Sequence, residues 1–265
     1  MKTGIIISKR IERDFGLLVN EMLRKKGIEV IEIEDFPLYL SDEDLEKYNC
    51  DYYMAIAIHS LRDYPKRFCV HVCGNWNKKW PRLNFDLGGK EKTLCGNSPS
   101  LLKFVYQSLI KHNHTKDFVV SIEATHHGPH ITKPILMLEI GSNKKAWENE
   151  EANSIVCQVV EDTLSNFVPE KRPASLILGG EHYMKELRPL LHKKDFLIGP
   201  MCPSSQIEHF NDKLLQEALN KTEGGIKNAL INIPGVGQHY ERITSLLKDR
   251  NIEFVGLHDV LEIGG

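Results

Sequence analysis

A carboxylate and three imidazoles fall within eight residues in the stretch Glu123-Ala124-Thr125-His126-His127-Gly128-Pro129-His130. Neutral histidine and carboxylate are metal ligands, and histidine is also the usual general acid or base near neutral pH. A second stretch, Gly179-Gly180-Glu181-His182-Tyr183, places an acid, a base and a hydroxyl donor directly after two glycines that allow close backbone approach. The plainer alternative is a polar turn whose histidines only bond backbone. For one histidine that alternative is the better reading, but clustering reverses it. Cys69-Val70-His71-Val72-Cys73 would present three ligands, Cys69, His71 and Cys73, on one strand face. Two-residue spacing holds such groups about 6.5–7 Å apart. That fits a compact tetrahedral centre poorly, so no Cys-His-Cys site is expected.

The elements that must position these groups follow from periodicity. Residues 4–8 read as a buried strand, 11–26 as a helix with Phe15, Leu18, Val19, Met22 and Leu23 on one stripe, and 28–33 as a second strand. Such a strand–helix–strand opening argues for parallel pairing in an α/β fold. Ser8-Lys9-Arg10 is no phosphate-binding glycine loop, which argues against the usual nucleotide fold. Further strands are expected at 52–59, ending in His59, at 67–72, from Phe118 into the histidine stretch, at 135–140 with Glu139 near its end, and at 174–178. Ser98-Pro99 starts a helix to about His112, and 149–166 form an amphipathic helix with Ala152, Ile155, Val156, Val159, Val160 and Leu164 inward. Beyond them come a short strand at 196–199, helices at 211–221 and 239–250, and strands at 229–233 and 253–257. Gly128-Pro129 stops any regular element, so the histidines sit in a loop at a strand end, where open α/β sheets place their ligands.

Composition sets the outer bounds. With 265 residues, 41% hydrophobic and 26% charged, the chain is long enough for one large domain of ordinary globular make-up. We expect a single α/β domain over 1–265, with 196–265 as a C-terminal extension. A net charge of −2 gives no global signal for nucleic acid, so any such contact must come from a local patch. One exists: between 60 and 95 there are eight basic residues against three acidic ones, interleaved with Trp76, Trp80 and Phe85. Basic groups with aromatics suit a phosphate backbone and stacked bases, although a solvated loop whose tryptophans pack back on the body is the stronger reading from composition alone. Six cysteines without a Cys-x-x-Cys pair point to free thiols in a reducing compartment. No signal-peptide pattern and no membrane-spanning apolar run are evident, so a cytoplasmic location is expected.

The strings Glu123-Ala124-Thr125-His126-His127-Gly128-Pro129, Glu139-Ile140-Gly141-Ser142 and Gly179-Gly180-Glu181-His182-Tyr183, together with His59-Ser60 and His71-Val72-Cys73-Gly74-Asn75, resemble the archaeal-type D-aminoacyl-tRNA deacylases. Two stretches depart from that pattern: Met184-Lys185 stands where the family tends to have Ala-Pro, and Pro200-Met201-Cys202 where a lysine-bearing motif is expected. The resemblance implies hydrolysis of the ester joining a D-amino acid to the terminal ribose of tRNA, and association with zinc. It also implies a three-layer α/β/α sandwich with a mixed, mostly parallel sheet, similar to the peptidyl-tRNA hydrolase type. A metal-dependent amidase or peptidase on a similar sandwich, and a binding protein that uses the histidine loop structurally, are the alternatives.

The expected centre gathers Glu123, His126, His127 and His182, with His59 and Glu139 as supports or further ligands. His127, Glu123 and His182 are the expected catalytic groups, and His126, His127, His59 and Glu139 the expected metal ligands. His71, Asn75, Gly179, Gly180 and Tyr183 are expected at the substrate, and Lys78, Lys79 and Arg82 at the tRNA acceptor end. A monomer is the simplest assembly, a homodimer the alternative.

Overall fold

The computed structural model describes residues 1–60, 65–78 and 86–262. Its strands are β1 Thr3–Ser8, β2 Ile31–Ile33, β3 Tyr52–Ser60, β4 Arg67–Val72, β5 Gly74–Asn75, β6 Thr93–Leu94, β7 Val119–Ile122, β8 Ile135–Ser142, β9 Ala174–Gly180, β10 Ile198–Pro203, β11 Ile226–Ile231 and β12 Glu253–Gly256. The α-helices are α1 Lys9–Phe15, α2 Val19–Lys25, α3 Asp42–Leu45, α4 Pro99–His112, α5 Lys144–Trp147, α6 Glu150–Asn166, α7 Arg188–His192, α8 Asp212–Lys221, α9 Ile233–Val236, α10 Tyr240–Asp249 and α11 Leu257–Glu262.

A six-stranded sheet runs in the order β2-β1-β3-β8-β4-β7. Its pairs are parallel except β4 against β8, so it is mixed and mostly parallel, as expected. The strands β1, β3 and β8 are almost wholly buried, and their near-continuous Ile/Leu/Met/Ala sequences follow from cover on both faces. A second sheet, β10-β9-β11-β12, is parallel throughout. It begins at Ala174, ahead of the boundary expected at 196, and Ile177, Ile198, Met201 and Leu230 join the main apolar core. The C-terminal third is therefore built into the body through a sheet of its own.

Three local expectations change. The helix expected over 11–26 is two helices, because Gly16 takes a left-handed φ of 72° and its amide caps Glu12 O. Leu164, expected inward, is 41% exposed, while Ala152, Ile155, Val156, Val159 and Val160 of α6 are buried. The strand expected to stop at Gly199 continues through Pro200 and Pro203, which β10 tolerates as an edge strand. Helix α4 starts as expected, with Ser98 Oγ accepting from Leu101 N and proline in the first turn. No described helix is long and apolar enough to cross a membrane.

Candidate active site

The histidine loop leaves β7 between the two sheets and is pinned to both. On one side Glu123 N donates to Val70 O at 3.1 Å and Gly74 N to His127 O at 2.8 Å. On the other, Ala124 N donates to His182 O at 2.8 Å, and Glu123 forms an isolated antiparallel bridge with Tyr183. Thr125 pairs with Met201 in both directions: its amide donates to Met201 O and its Oγ1 accepts from Met201 N, each at 2.9 Å. Trp76, fully buried, lays its Nε1–H between Thr125 O (3.0 Å) and Met201 O (3.3 Å). The first tryptophan of the basic stretch thus packs back on the body.

Two neighbouring side chains of a straight strand face opposite ways, yet His126 and His127 both enter the cluster. The reason is His127, whose φ of 45° lies in the left-handed region and breaks the alternation. The Gly128–Pro129 bond that follows is cis, and a β-carbon on Gly128 would run into the carbonyl of Leu38. His130 does not join the cluster and bridges instead to Ser41.

Three imidazoles share one hydrogen-bonding pattern. The Nδ1–H of His71 donates to Val72 O (3.1 Å), that of His126 to Ala124 O (2.8 Å) and that of His127 to Gly128 O (2.6 Å). Each bond fixes the tautomer and leaves Nε2 with the lone pair. Glu139 Oε1 lies 3.7 Å from His71 Nε2 and 3.6 Å from His127 Nε2. One donor atom from each of His71, His126 and His127 lies within 4.8 Å of the others, as holds also for Glu123, His126 and His182. His71 Nε2 and both carboxylate oxygens of Glu123 are buried with no hydrogen-bond partner. Buried polar atoms left in this state are costly, and a divalent cation would satisfy them. This donor set fits a metal ion.

Burial by itself would pull His59 down, but Glu123 and Glu139 beside it outweigh burial and raise its pKa to about 9. Burial would likewise push Glu123 up, and the His59 and His182 rings bring it to about 2 instead. Glu139 is held well below the usual range: burial opposes this, and His127, His59 and His71 prevail. Burial, aided by the neighbouring rings, pushes His126 well below the ordinary value, so it stays neutral.

The structure separates the expected metal ligands. His126, His127 and Glu139 face the common centre, but His59 engages both nitrogens, Nδ1 on Glu139 Oε2 at 3.2 Å and Nε2 on the Tyr183 hydroxyl at 2.7 Å. In this arrangement both His59 nitrogens have protein partners, and the ring stands with Cys69 and Glu123 in a separate group of converging donors. His71, expected at the substrate, takes its place among the converging imidazoles. Cys69 stands beside His59 and Glu123, but burial, reinforced by Glu123, pushes its thiol well up and keeps it protonated. Cys73 is in none of the converging groups, so no Cys-His-Cys centre forms among the described residues.

Other expected residues have local duties. Asn75 Nδ2 donates to Gly88 O at 2.9 Å and Lys90 O at 3.4 Å, holding the loop against the site. A β-carbon at Gly179 would run into Val236, and one at Gly180 into Met184, so both glycines admit close packing of the chain on itself. Tyr183 is buried under Arg67, whose guanidinium lies 4.1 Å from its ring centre. Lys78 pairs with Asp86 at 3.0 Å, while Lys79 and Arg82 lie outside the described residues. All six cysteines are free and buried.

Comparison with known proteins bears on the fold and the family. A crystal structure of a conserved protein of unknown function superposes with a TM-score of 0.84 over 98% of this chain and 97% of that one, at 22% identity, and shows the same fold. The D-aminoacyl-tRNA deacylase of Pyrococcus abyssi is 24% identical over 96% of both chains, and that of Cenarchaeum symbiosum 24% identical over 84% of both. The sequence model of that family matches residues 46–255, a span that contains every residue of the cluster. The chain belongs to the D-aminoacyl-tRNA deacylase family.

Proposed function

We propose that the His71–His126–His127–Glu139 face and the Glu123–His182 pair form one hydrolytic centre, where the ester between a D-amino acid and the terminal ribose of tRNA is cleaved. The enzyme is a D-aminoacyl-tRNA deacylase, whose products are free D-amino acid and tRNA. The observation that carries the siting is the convergence of His71, His126 and His127, one donor atom of each within 4.8 Å of the others. The fixed Nε2 lone pairs of His71, His126 and His127, with Glu139 opposite, would hold a zinc ion. Bound there, zinc supplies a Lewis acid and a water of lowered pKa.

The remaining chemistry belongs to the chain. Glu123 Oε1 lies 3.6 Å from His182 Nε2 and orients that imidazole, which at 29% side-chain exposure is the most open in the cluster. His182 hands a proton to the ribose oxygen that leaves. Glu123 and Glu139 favour the protonated form of His59, and His59 in turn fixes the buried Tyr183 hydroxyl. An ester is activated enough that a positioned water and a proton donor suffice. The buried free thiols suit a reducing cytoplasm.

Purified protein incubated with D- and L-tyrosyl-tRNA, with and without chelator, tests the reading. Release of D-tyrosine much faster than L-tyrosine, abolished by chelator and restored by zinc, is the expected result. Equal rates on both enantiomers sink the stereospecific assignment, and turnover that ignores the chelator sinks the metal.

A further inference from the structure

A cavity of about 670 Å³ opens beyond the C-terminal ends of β9, β11 and β12, the edge of a parallel sheet where α/β proteins place ligands. Glu181 lines it and is the chain neighbour of His182, so the backbone that carries His182 leads directly into the cavity wall. Its walls differ from those of that centre. Ile233, Pro234 and Leu257 give an apolar surface, on which Ile233 stands 51% exposed. Glu186 and Asp259 supply acceptors, and Glu186 Oε1 is buried with no hydrogen-bond partner.

We propose that this cavity receives the terminal nucleoside of tRNA, the adenosine whose ribose carries the ester. The proposal rests on the deacylase reading and deepens it. The volume exceeds what one nucleoside needs and falls within the usual range for small-ligand sites. The apolar wall of Ile233, Pro234 and Leu257 can pack against the face of a base, as apolar side chains do in pockets that hold an unstacked base. The carboxylates match hydrogen-bond donors, which a nucleoside has in its ribose hydroxyl and exocyclic amine. Three carboxylates against Lys185 and His258 repel phosphates, so the occupant is the nucleoside end of the acceptor strand and not its phosphodiester run. Burial raises the pKa of Glu186, which brings its neutral form, able to donate to a ring nitrogen, closer to physiological pH.

The experiment uses adenosine as the probe, with the full-length enzyme and D-tyrosyl-tRNA as substrate. Adenosine should inhibit competitively and cytidine much less. In Ile233→Asp and Glu186→Gln, adenosine inhibition should weaken about tenfold and KM for D-tyrosyl-tRNA should rise about as much, with kcat changed far less. A wild type that turns over D-tyrosyl-tRNA but ignores millimolar adenosine overturns the nucleoside site, as does equal inhibition of wild type and folded variants. Should Ile233→Asp misfold, Glu186→Gln and the wild-type competition still decide. A wild type with no turnover on D-tyrosyl-tRNA overturns the deacylase reading instead, so the two failures are distinguishable.

Discussion

The amide of Ala124 donates to the carbonyl of His182 at 2.8 Å, so two loops far apart in sequence share one backbone frame. Both chemical stretches are carried on this frame: Glu123 and His126 flank one end of the bond and His182 the other. The bond ties the backbone that carries Glu123 to the backbone that carries His182, whose side chains lie 3.6 Å apart.

Removal of the proposed proton donor, His182, or of a proposed metal ligand, His127, tests the chemistry directly. His182→Ala and His127→Ala are each expected to lower kcat on D-tyrosyl-tRNA by about a hundredfold or more, with circular dichroism and melting unchanged in outline. Full activity in both folded variants would place the reaction elsewhere.

Metal content is a separate readout. His71→Ala should lower the zinc bound per chain, measured by elemental analysis after dialysis against trace zinc, and should reduce the thermal shift that zinc gives the wild type. Ligand binding stabilises the folded state by mass action, so both losses should appear together. Unchanged zinc content would remove His71 from the ligand set.

Tyr183→Phe leaves the Nε2–H of His59 facing no hydroxyl inside a nearly closed site. Orphaning a buried donor costs about 1–3 kcal/mol, more when the group is charged. Urea unfolding of the variant checks this, and a loss below about 0.3 kcal/mol would show that water replaces the hydroxyl.

Asp162 of α6 accepts from Ser108 Oγ, Asn166 Nδ2, Lys111 Nζ and His112 Nε2 at 2.8–3.3 Å, and thereby ties α6 to α4. Burial opposes ionisation there, yet these donors win and hold the carboxyl well below its usual range. A carboxyl whose folded-state pKa is depressed stabilises the fold fully above its unfolded value of about 3.9 and loses that contribution as pH falls toward the folded value. Asp162→Asn should therefore cost about 1–3 kcal/mol at pH 6 and progressively less near pH 2, read by urea unfolding at both. A gap that stays constant with pH would contradict the assignment.

Reversing Lys78, Lys79 and Arg82 to glutamate should weaken tRNA binding and flatten the dependence of log K on log salt, since each lost phosphate contact releases fewer counterions. An unchanged slope would place the acceptor stem on another surface.

Strings of chemical residues and buried strands were legible in the sequence because they depend on local pattern. The strand–helix–strand opening and the α4 cap at Ser98-Pro99 follow from periodicity and capping, whereas the mixed, mostly parallel sheet was implied by the family resemblance. The convergence of Glu123, His126, His127 and His182 was expected, and the structure brings those four together. What stayed hidden depends on partners across the chain. His59 reads like any strand-end ligand until Tyr183 is found on its second nitrogen. His71 reads like a strand residue of either face until Glu139 is placed opposite. The break at Gly16 could have been seen, since glycine within a helical stripe is a cap signal. The second sheet was obscured by Pro200 and Pro203, which argue against a strand unless that strand is known to be an edge.

The six buried thiols distribute a set of internal clocks through the molecule. Cys50 lies next to β3, Cys69 within β4, Cys73 and Cys95 beside the two-stranded ladder, Cys157 in α6 and Cys202 in β10. A thiol reagent reaches each one only when the element that covers it opens. Under conditions where closing outpaces labelling, the rate at each cysteine reports the free energy of that local opening. Single-cysteine versions of this chain would thus give an opening energy for each element separately, and Cys69 and Cys73 would read it at the floor of the hydrolytic centre itself.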